Sequence, residues 1–230
     1  MNMKKLIMTA LVALLALPVF AQSDKEPLYT SSNGQFTFDL FDHMGFGYNA
    51  VKSADFKPAF SCDFFMNMVK AGLFPVQNLG LELGVDFEFN SFSSNESAFM
   101  QTSDGTIKAA SFPVFDLYGS FDKKRSNFSV FALSAPVLVK GIFDKVEIGV
   151  GAVASWNFTG TTSYYLRTEK TDLNYTERKA KVNPFSYGIL ATVSYDEFGV
   201  FFKYYPKSSH LLPEGSVDLS FMTVGIALSL

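Results

Sequence analysis

Five charged side chains have the type and spacing that acid–base chemistry or ion binding would use. Glu82, Asp86 and Glu88 fall on the same face of one alternating run, Glu147 lies on the polar face of another, and Lys203 on the inner face of a third. Paired carboxylates can move protons or hold hard cations. The plainer reading is a salt-bridge and hydrogen-bond network filling an interior too narrow for a water channel, since buried charge needs partners. That reading is preferred here, so no catalytic residue and no metal ligand are assigned.

The two histidines, His43 and His210, raise a second chemistry. A His–Ser pair on a barrel wall would suit an acyl hydrolase acting on lipid. Ser208 and Ser209 adjoin His210, but sequence neighbours in a loop are not an oriented dyad, and His43 shares its face with Asp39 and has no serine that sequence assigns to it. Both are read as ordinary loop and lumen histidines. No glycine-rich phosphate loop after a strand, no cysteine–histidine metal set and no nucleophile elbow is present, and no cofactor is expected.

A third group is cationic and aromatic. Arg167, Lys170, Tyr175, Arg178 and Lys179 share residues 159–183 with Tyr164, Tyr165 and Lys181, and Lys123, Lys124 and Arg125 precede them. Such groups suit lipopolysaccharide phosphates or an acidic protein surface. With Glu169, Asp172 and Glu177 interspersed they are equally what a solvated loop looks like.

The elements that position these residues read by period two. Leu79, Leu81, Leu83, Val85, Phe87 and Phe89 alternate with Gly80, Glu82, Gly84, Asp86, Glu88 and Asn90. Residues 146–158 and 185–195 alternate in the same way, broken only lightly by Val153 and Leu190. Runs of roughly 11 to 13 residues exceed the usual strand and match a tilted strand crossing a hydrocarbon layer. Weaker versions at 36–50, 60–68, 128–139, 198–204 and 217–230 bring the count to eight.

Short connections at 73–78, 140–145 and 196–197 alternate with long ones at 91–126, 159–183 and 206–216, and a tighter one lies at 52–58. Short turns on one side and long loops on the other are the habit of an outer-membrane barrel. Residues 107–121, interrupted by Pro113, read as a loop hairpin rather than a ninth strand.

A soluble barrel would alternate too, with its apolar face inward. Glycine-rich polar faces (Gly80, Gly84, Gly149, Gly151, Gly188, Gly199) suit a crowded interior better than a solvated surface. Aromatics gather at both strand ends: Phe87, Phe89, Phe92, Trp156, Phe158, Phe185, Tyr187, Tyr204 and Tyr205 beside the long loops, and Phe74, Phe143, Tyr195 and Phe198 beside the short turns. Two such girdles fit two membrane interfaces. The 26 phenylalanines and 16% aromatic content point the same way.

Residues 1–21 read as a cleaved signal peptide: Lys4 and Lys5, an apolar run from Leu6 to Leu17, then Val19-Phe20-Ala21. Gln22 follows the expected cut where a lipoprotein carries cysteine, so no lipid anchor is expected there. Residues 22–34 are then an N-terminal periplasmic segment and 35–230 the barrel. Without the leader's two lysines the charge is 17 basic against 22 acidic residues, or −5, which gives nucleic acid no basic surface. One cysteine, Cys62, leaves no internal disulfide. Thr223, Gly225, Leu228 and Leu230 have the spacing of the signal read by the barrel-assembly machinery during insertion, with Leu230 where an aromatic is commoner.

Four stretches carry a family resemblance: Phe131-Ala-Leu-Ser-Ala-Pro136-Val-Leu-Val-Lys140, Val146-Glu-Ile-Gly149-Val-Gly151-Ala, Asn183-Pro184-Phe185-Ser-Tyr187-Gly188 and Phe221-Met-Thr-Val-Gly225-Ile-Ala-Leu-Ser-Leu. Together they resemble the small outer-membrane β-barrel domain family (PorT/OmpX-like), over roughly residues 36–230. The resemblance implies fold and location more than chemistry. Ala135 stands where relatives tend to carry a glutamate before the proline, which removes that lumen charge here.

The sequence therefore predicts an all-β, closed antiparallel up-and-down transmembrane β-barrel of eight strands in the bacterial outer membrane. Its expected contacts are outer-membrane lipid and lipopolysaccharide, with a non-enzymatic structural or loop-binding role whose extracellular partner the sequence does not identify. Two alternatives stay open: a lipid acyl hydrolase, and a soluble periplasmic barrel holding an apolar ligand.

Overall fold

The computed structural model describes residues 29–31, 34–76, 78–112, 123–167, 172–206 and 211–229, with side chains from Phe36 onward apart from that of Arg178. Its strands are β1 (Tyr29–Ser31), β2 (Gly34–Leu40), β3 (His43–Lys52), β4 (Cys62–Val76), β5 (Leu79–Ser94), β6 (Ala98–Gln101), β7 (Ile107–Ala110), β8 (Lys123–Phe143), β9 (Val146–Arg167), β10 (Asp172–Ala180), β11 (Phe185–Tyr195), β12 (Phe198–Tyr205) and β13 (Ser220–Ser229). Among the described residues no helix is long and apolar enough to cross a membrane.

Eight of these strands pair in a ring. The order β3-β4-β5-β8-β9-β11-β12-β13 returns to β3, and every pairing is antiparallel. A sheet closed on itself leaves no unpaired edge. All-β antiparallel structure with eight strands in the ring agrees with the strand count read from the sequence.

Alternation decides the two faces. Leu81, Leu83, Val137, Val139, Ile148, Val150, Ile189 and Val200 are exposed on the outside, whereas Glu82, Asp86, Glu88, Ser134, Ser155, Ser186, Lys203 and Thr223 are buried inside. The interior is crowded enough to demand glycine. A Cβ on Gly47 would sit 2.5 Å from Thr223 Cγ2, and one on Gly225 would sit 2.5 Å from the Phe201 ring. Phe65 and Phe201, edge to face at 5.0 Å, use that space.

Several sequence expectations need correction. The strand expected at 36–50 is two, because Phe41 takes a left-handed φ of 53° and breaks the wall into β2 and β3. There Asp42 turns inward, and β1 pairs with β2 beyond the end of β13. The expected loop 159–183 is largely strand: β9 runs on to Arg167 and pairs with β10, Tyr164 opposite Tyr175. In the loop 91–126, β5 continues to Ser94, β8 begins at Lys123, and β6 and β7 form a separate hairpin. The hairpin expected at 107–121 thus contributes only Ile107–Ala110, paired to residues ahead of it, while 113–121 lie outside the described residues. The short turn expected at 140–145 tightens to Asp144-Lys145, while the one at 196–197 is Asp196-Glu197 as expected, and each is opened by an aspartate at positive φ.

Phe74, Phe92 and Tyr205 are not girdle residues. All three are buried inside the ring, Phe74 because irregular pairing between Asn67 and Val69 shifts the alternation of β4. Phe92 and Tyr205 join Phe56, Phe99, Phe128, Leu211, Val217, Leu219 and Phe221 in an apolar cluster that fills the long-connection end. Each such side chain contributes roughly 1.5–3 kcal/mol by leaving water.

Candidate functional site

Beneath the apolar cluster lies a polar layer centred on Glu88 and Lys203. Lys203 Nζ on β12 stands 3.0 Å from Glu88 Oε1 on β5 and 2.9 Å from Asp63 Oδ2 on β4. The Tyr205 hydroxyl (3.2 Å) and the Asn90 amide (3.0 Å) donate to Glu88 Oε1, and the Ser134 hydroxyl donates to Oε2. Asn90 in turn accepts from Asn49 at 3.0 Å, and Asn49 accepts from Thr223 at 2.6 Å. Lys203 Nζ also lies 4.4 Å from the centre of the Phe65 ring. A charge taken out of water needs such partners, and a carboxylate occupied by four donors is poorly placed to exchange protons with a substrate.

Towards the short turns the ring opens into a cavity of about 1040 Å³, with Asp144, Lys145, Asp196 and Glu197 at its mouth and Phe201 and Lys203 at its inner end. Two lysines bridge acids on its walls. Lys140 reaches Glu82 and Glu147, both at 2.7 Å, and Lys70 contacts Asp42 and lies 3.8 Å from Asp39. His43 Nδ1 is 3.1 Å from Asp42 Oδ2, and its ring meets Phe65 edge-on at 5.5 Å.

The residues singled out from the sequence are thus divided. Glu88 and Lys203 share one contact, Glu82 and Glu147 share Lys140, and Asp86 accepts from Asn67 at 2.8 Å. Ser229 lies directly opposite His43 across the β3–β13 pair, with its hydroxyl donating to the Asp42 carbonyl at 3.4 Å. Ser208, Ser209 and His210 lie outside the described residues.

Of the C-terminal signal positions, Thr223 bonds Asn49, Gly225 makes room for Phe201, Leu228 lies opposite Met44 and Phe198, and Leu230 is outside the described residues.

The long-connection end carries the cationic group. Arg167 on β9 lies 3.5 Å from Asp172 on β10 and faces Lys123 on β8; Arg125 faces Tyr165 and donates to Ser93 at 3.2 Å. The Tyr175 hydroxyl donates to Glu177 at 3.1 Å, which raises its pKa above the ordinary phenol value, and its ring stacks on Tyr164 at 5.0 Å. Lys179 is exposed, while Lys170 and the side chain of Arg178 fall outside the described residues.

Sequence reasoning missed Asp42, Asn49, Asp63, Asn67, Lys70, Lys140 and Tyr205. Asp63 and Asn67 did carry a signal, since they alternate with Phe64 and Met66. The irregular pairing after Asn67 hides their continuation.

No protein-family model matches this chain, and no curated protein matches it. Among solved structures it is similar to Ail, the attachment invasion locus protein of Yersinia pestis, at 11% identity and a TM-score of 0.38, over 86% of this chain and 99% of that one. Neisserial surface protein A follows at 12% identity and a TM-score of 0.34, over 85% and 97% of the two chains. The outer membrane protease OmpT from Escherichia coli is similar at 13% identity and a TM-score of 0.31, over 79% and 68%. Likenesses of this size carry neither an activity nor a location to this chain.

Proposed function

We propose that this chain is a sealed, non-enzymatic outer-membrane β-barrel, akin to the small barrels it resembles in sequence, that presents its long-connection end for binding at the cell surface. The observation that carries this reading is the outer face of the ring. Val150, Ile189, Val224 and Ile226, between 53% and 61% exposed, belong to an apolar belt contributed by every strand of the ring. A protein surrounded by water rarely exposes so continuous an apolar surface. In hydrocarbon the same belt is solvated, and a closed ring leaves no backbone group unpaired. The apolar cluster and the Glu88–Lys203 layer argue against an open pore.

An outward apolar face and an inward polar one also argue against the soluble barrel with an apolar ligand. For the hydrolase, the favourable observation is the Asp42–His43 contact with Ser229 opposite; it lies inside the ring, away from lipid. The proposed partners are outer-membrane lipid and lipopolysaccharide, the latter through Arg125, Arg167 and Lys123, and the assembly machinery during insertion.

Fractionation of expressing cells, followed by electrophoresis of the detergent extract with and without boiling, tests the reading. Recovery in the outer membrane with a mobility shift on boiling is expected. Release as a soluble periplasmic protein contradicts it.

A further inference from the structure

The wall of the ring does not end at one height. At the long-connection end β3, β11, β12 and β13 reach Lys52, Phe185, Tyr205 and Ser220, whereas β8 and β9 run on to Lys123 and Arg167, flanked by β5 and β10. Phe131, whose ring meets those of Phe87 and Phe89, marks the upper aromatic girdle. Arg125 and Lys123 lie six and eight residues beyond it on the same outward side of β8. With a rise of roughly 3.3 Å per residue and a tilt of roughly 40°, they stand about 15 and about 20 Å above the girdle.

This protruding face is graded. Directly above the rings come hydroxyls, with Ser129 donating to Ser91 at 3.2 Å and Thr161 alongside. The next rung holds Ser93, Asn127 and Ser163, and the cations stand above it. Asp172, paired with Arg167 at 3.5 Å, is the one carboxylate on this face among the described residues of β5, β8, β9 and β10. Arg125 is exposed and, unlike Lys57, Lys145 and Arg167, has no carboxylate within ion-pair distance among the described residues. It is nevertheless held in place, its Nε donating to Asn127 Oδ1 at 3.1 Å and one Nη to Ser93 at 3.2 Å. Two of its five N–H donors are so used, and the other three remain in a fixed plane for an oxyanion. A side chain ordered in advance loses less freedom on binding.

We propose that this wall is a docking surface for the phosphorylated inner-core sugars of lipopolysaccharide, with a core phosphate on Arg125, Lys123 beside it, and sugar hydroxyls on the serine and asparagine rungs. Height selects the core over lipid A. Lipid A phosphates lie at the headgroup level with the aromatic girdle, where the wall offers hydroxyls and no cation. The assignment rests on the outer-membrane reading. Recovery of the protein from the periplasm removes both, whereas recovery in the outer membrane without a preference for the core removes this one alone.

The test titrates the purified, folded full chain in detergent with lipopolysaccharide that carries a phosphorylated core and reads the affinity calorimetrically. The same material with its core phosphates removed, lipid A, and inorganic phosphate are the comparisons. The phosphorylated core is expected to bind about tenfold more tightly than either lipid comparison, as a charge-assisted hydrogen-bonded contact supplies, and Arg125→Gln to abolish that difference while leaving lipid A binding unchanged. Lys52→Gln removes a cation from another wall and is expected to bind as the unaltered protein does. Each variant is first checked for the mobility shift on boiling, and the comparison with the dephosphorylated core needs no variant. Equal affinity for the phosphorylated core and lipid A, no effect of removing the core phosphates, binding unchanged in Arg125→Gln, an equal loss in Lys52→Gln, or inorganic phosphate binding as tightly as the lipid would each overturn the proposal.

Discussion

Lys203 and Glu88 meet at 3.0 Å although β12 and β5 stand four strands apart in either direction around the eight-strand ring. Their contact therefore spans the full width of the ring and pins opposite walls together, with Asp63 as a second anchor on β4. Both side chains are almost wholly buried. A pair so placed holds the interior shut as well as holding the walls in register.

Replacing Lys203 by Met leaves Asp63 and Glu88 buried without their cation. Breaking a buried pair from one side costs about 3–5 kcal/mol, whereas replacing all the charges together costs far less. Reversible urea unfolding in lipid vesicles should show that loss for Lys203→Met, and most of it recovered when Asp63→Asn and Glu88→Gln are added.

Gly225 tests the packing beside the pair. Its missing Cβ leaves space for the Phe46 carbonyl and the Phe201 ring, so Gly225→Val overpacks the interior and should cost about 1–3 kcal/mol. Phe201→Ala in the same chain should relieve part of that loss. If the two losses simply add in unfolding experiments, the ring does not fill that space.

How much of this was legible depended on which solvent each face meets. In β5 and the lower half of β9, apolar residues outside and Gly, Glu and Asp inside make alternation plain. Upper β9 and β10 carry Thr161, Thr162, Ser163, Tyr164, Thr176 and Glu177, with no apolar face against lipid, so their strand character left no periodic trace. Asp63 and Asn67 were obscured by the irregular pairing that also turns Phe74 inward. The Lys203–Glu88 contact joins residues far apart in sequence, and only ring closure brings them together.

The outer face gives a prediction that separates lipid from water. Ile189→Arg puts a charge in the apolar belt, which in a bilayer costs about 2–4 kcal/mol near the midplane. A surface substitution in water would cost little. Unfolding in vesicles should show the larger loss, and an unchanged midpoint would count against burial in lipid.

Asp104 in the turn between β6 and β7 accepts from the Thr102 hydroxyl and from the Thr106 amide and hydroxyl, which lower its pKa to about 2. A carboxylate with a depressed pKa stabilises the folded form above its ordinary value, and the benefit is lost as pH falls through about 2. The Thr106 amide resonance should hold its position from neutral pH to about 4 and then move with a midpoint near 2. Asp104→Asn should abolish that titration.

Trp156, the single tryptophan, lies on the outer face at 53% exposure, beside Phe158 and opposite Phe185. It reports most directly on whether the ring spans a membrane. In reconstituted vesicles, brominated acyl chains should quench its fluorescence strongly while aqueous iodide quenches it weakly. Quenching by iodide with no effect of the brominated lipid would contradict a transmembrane barrel.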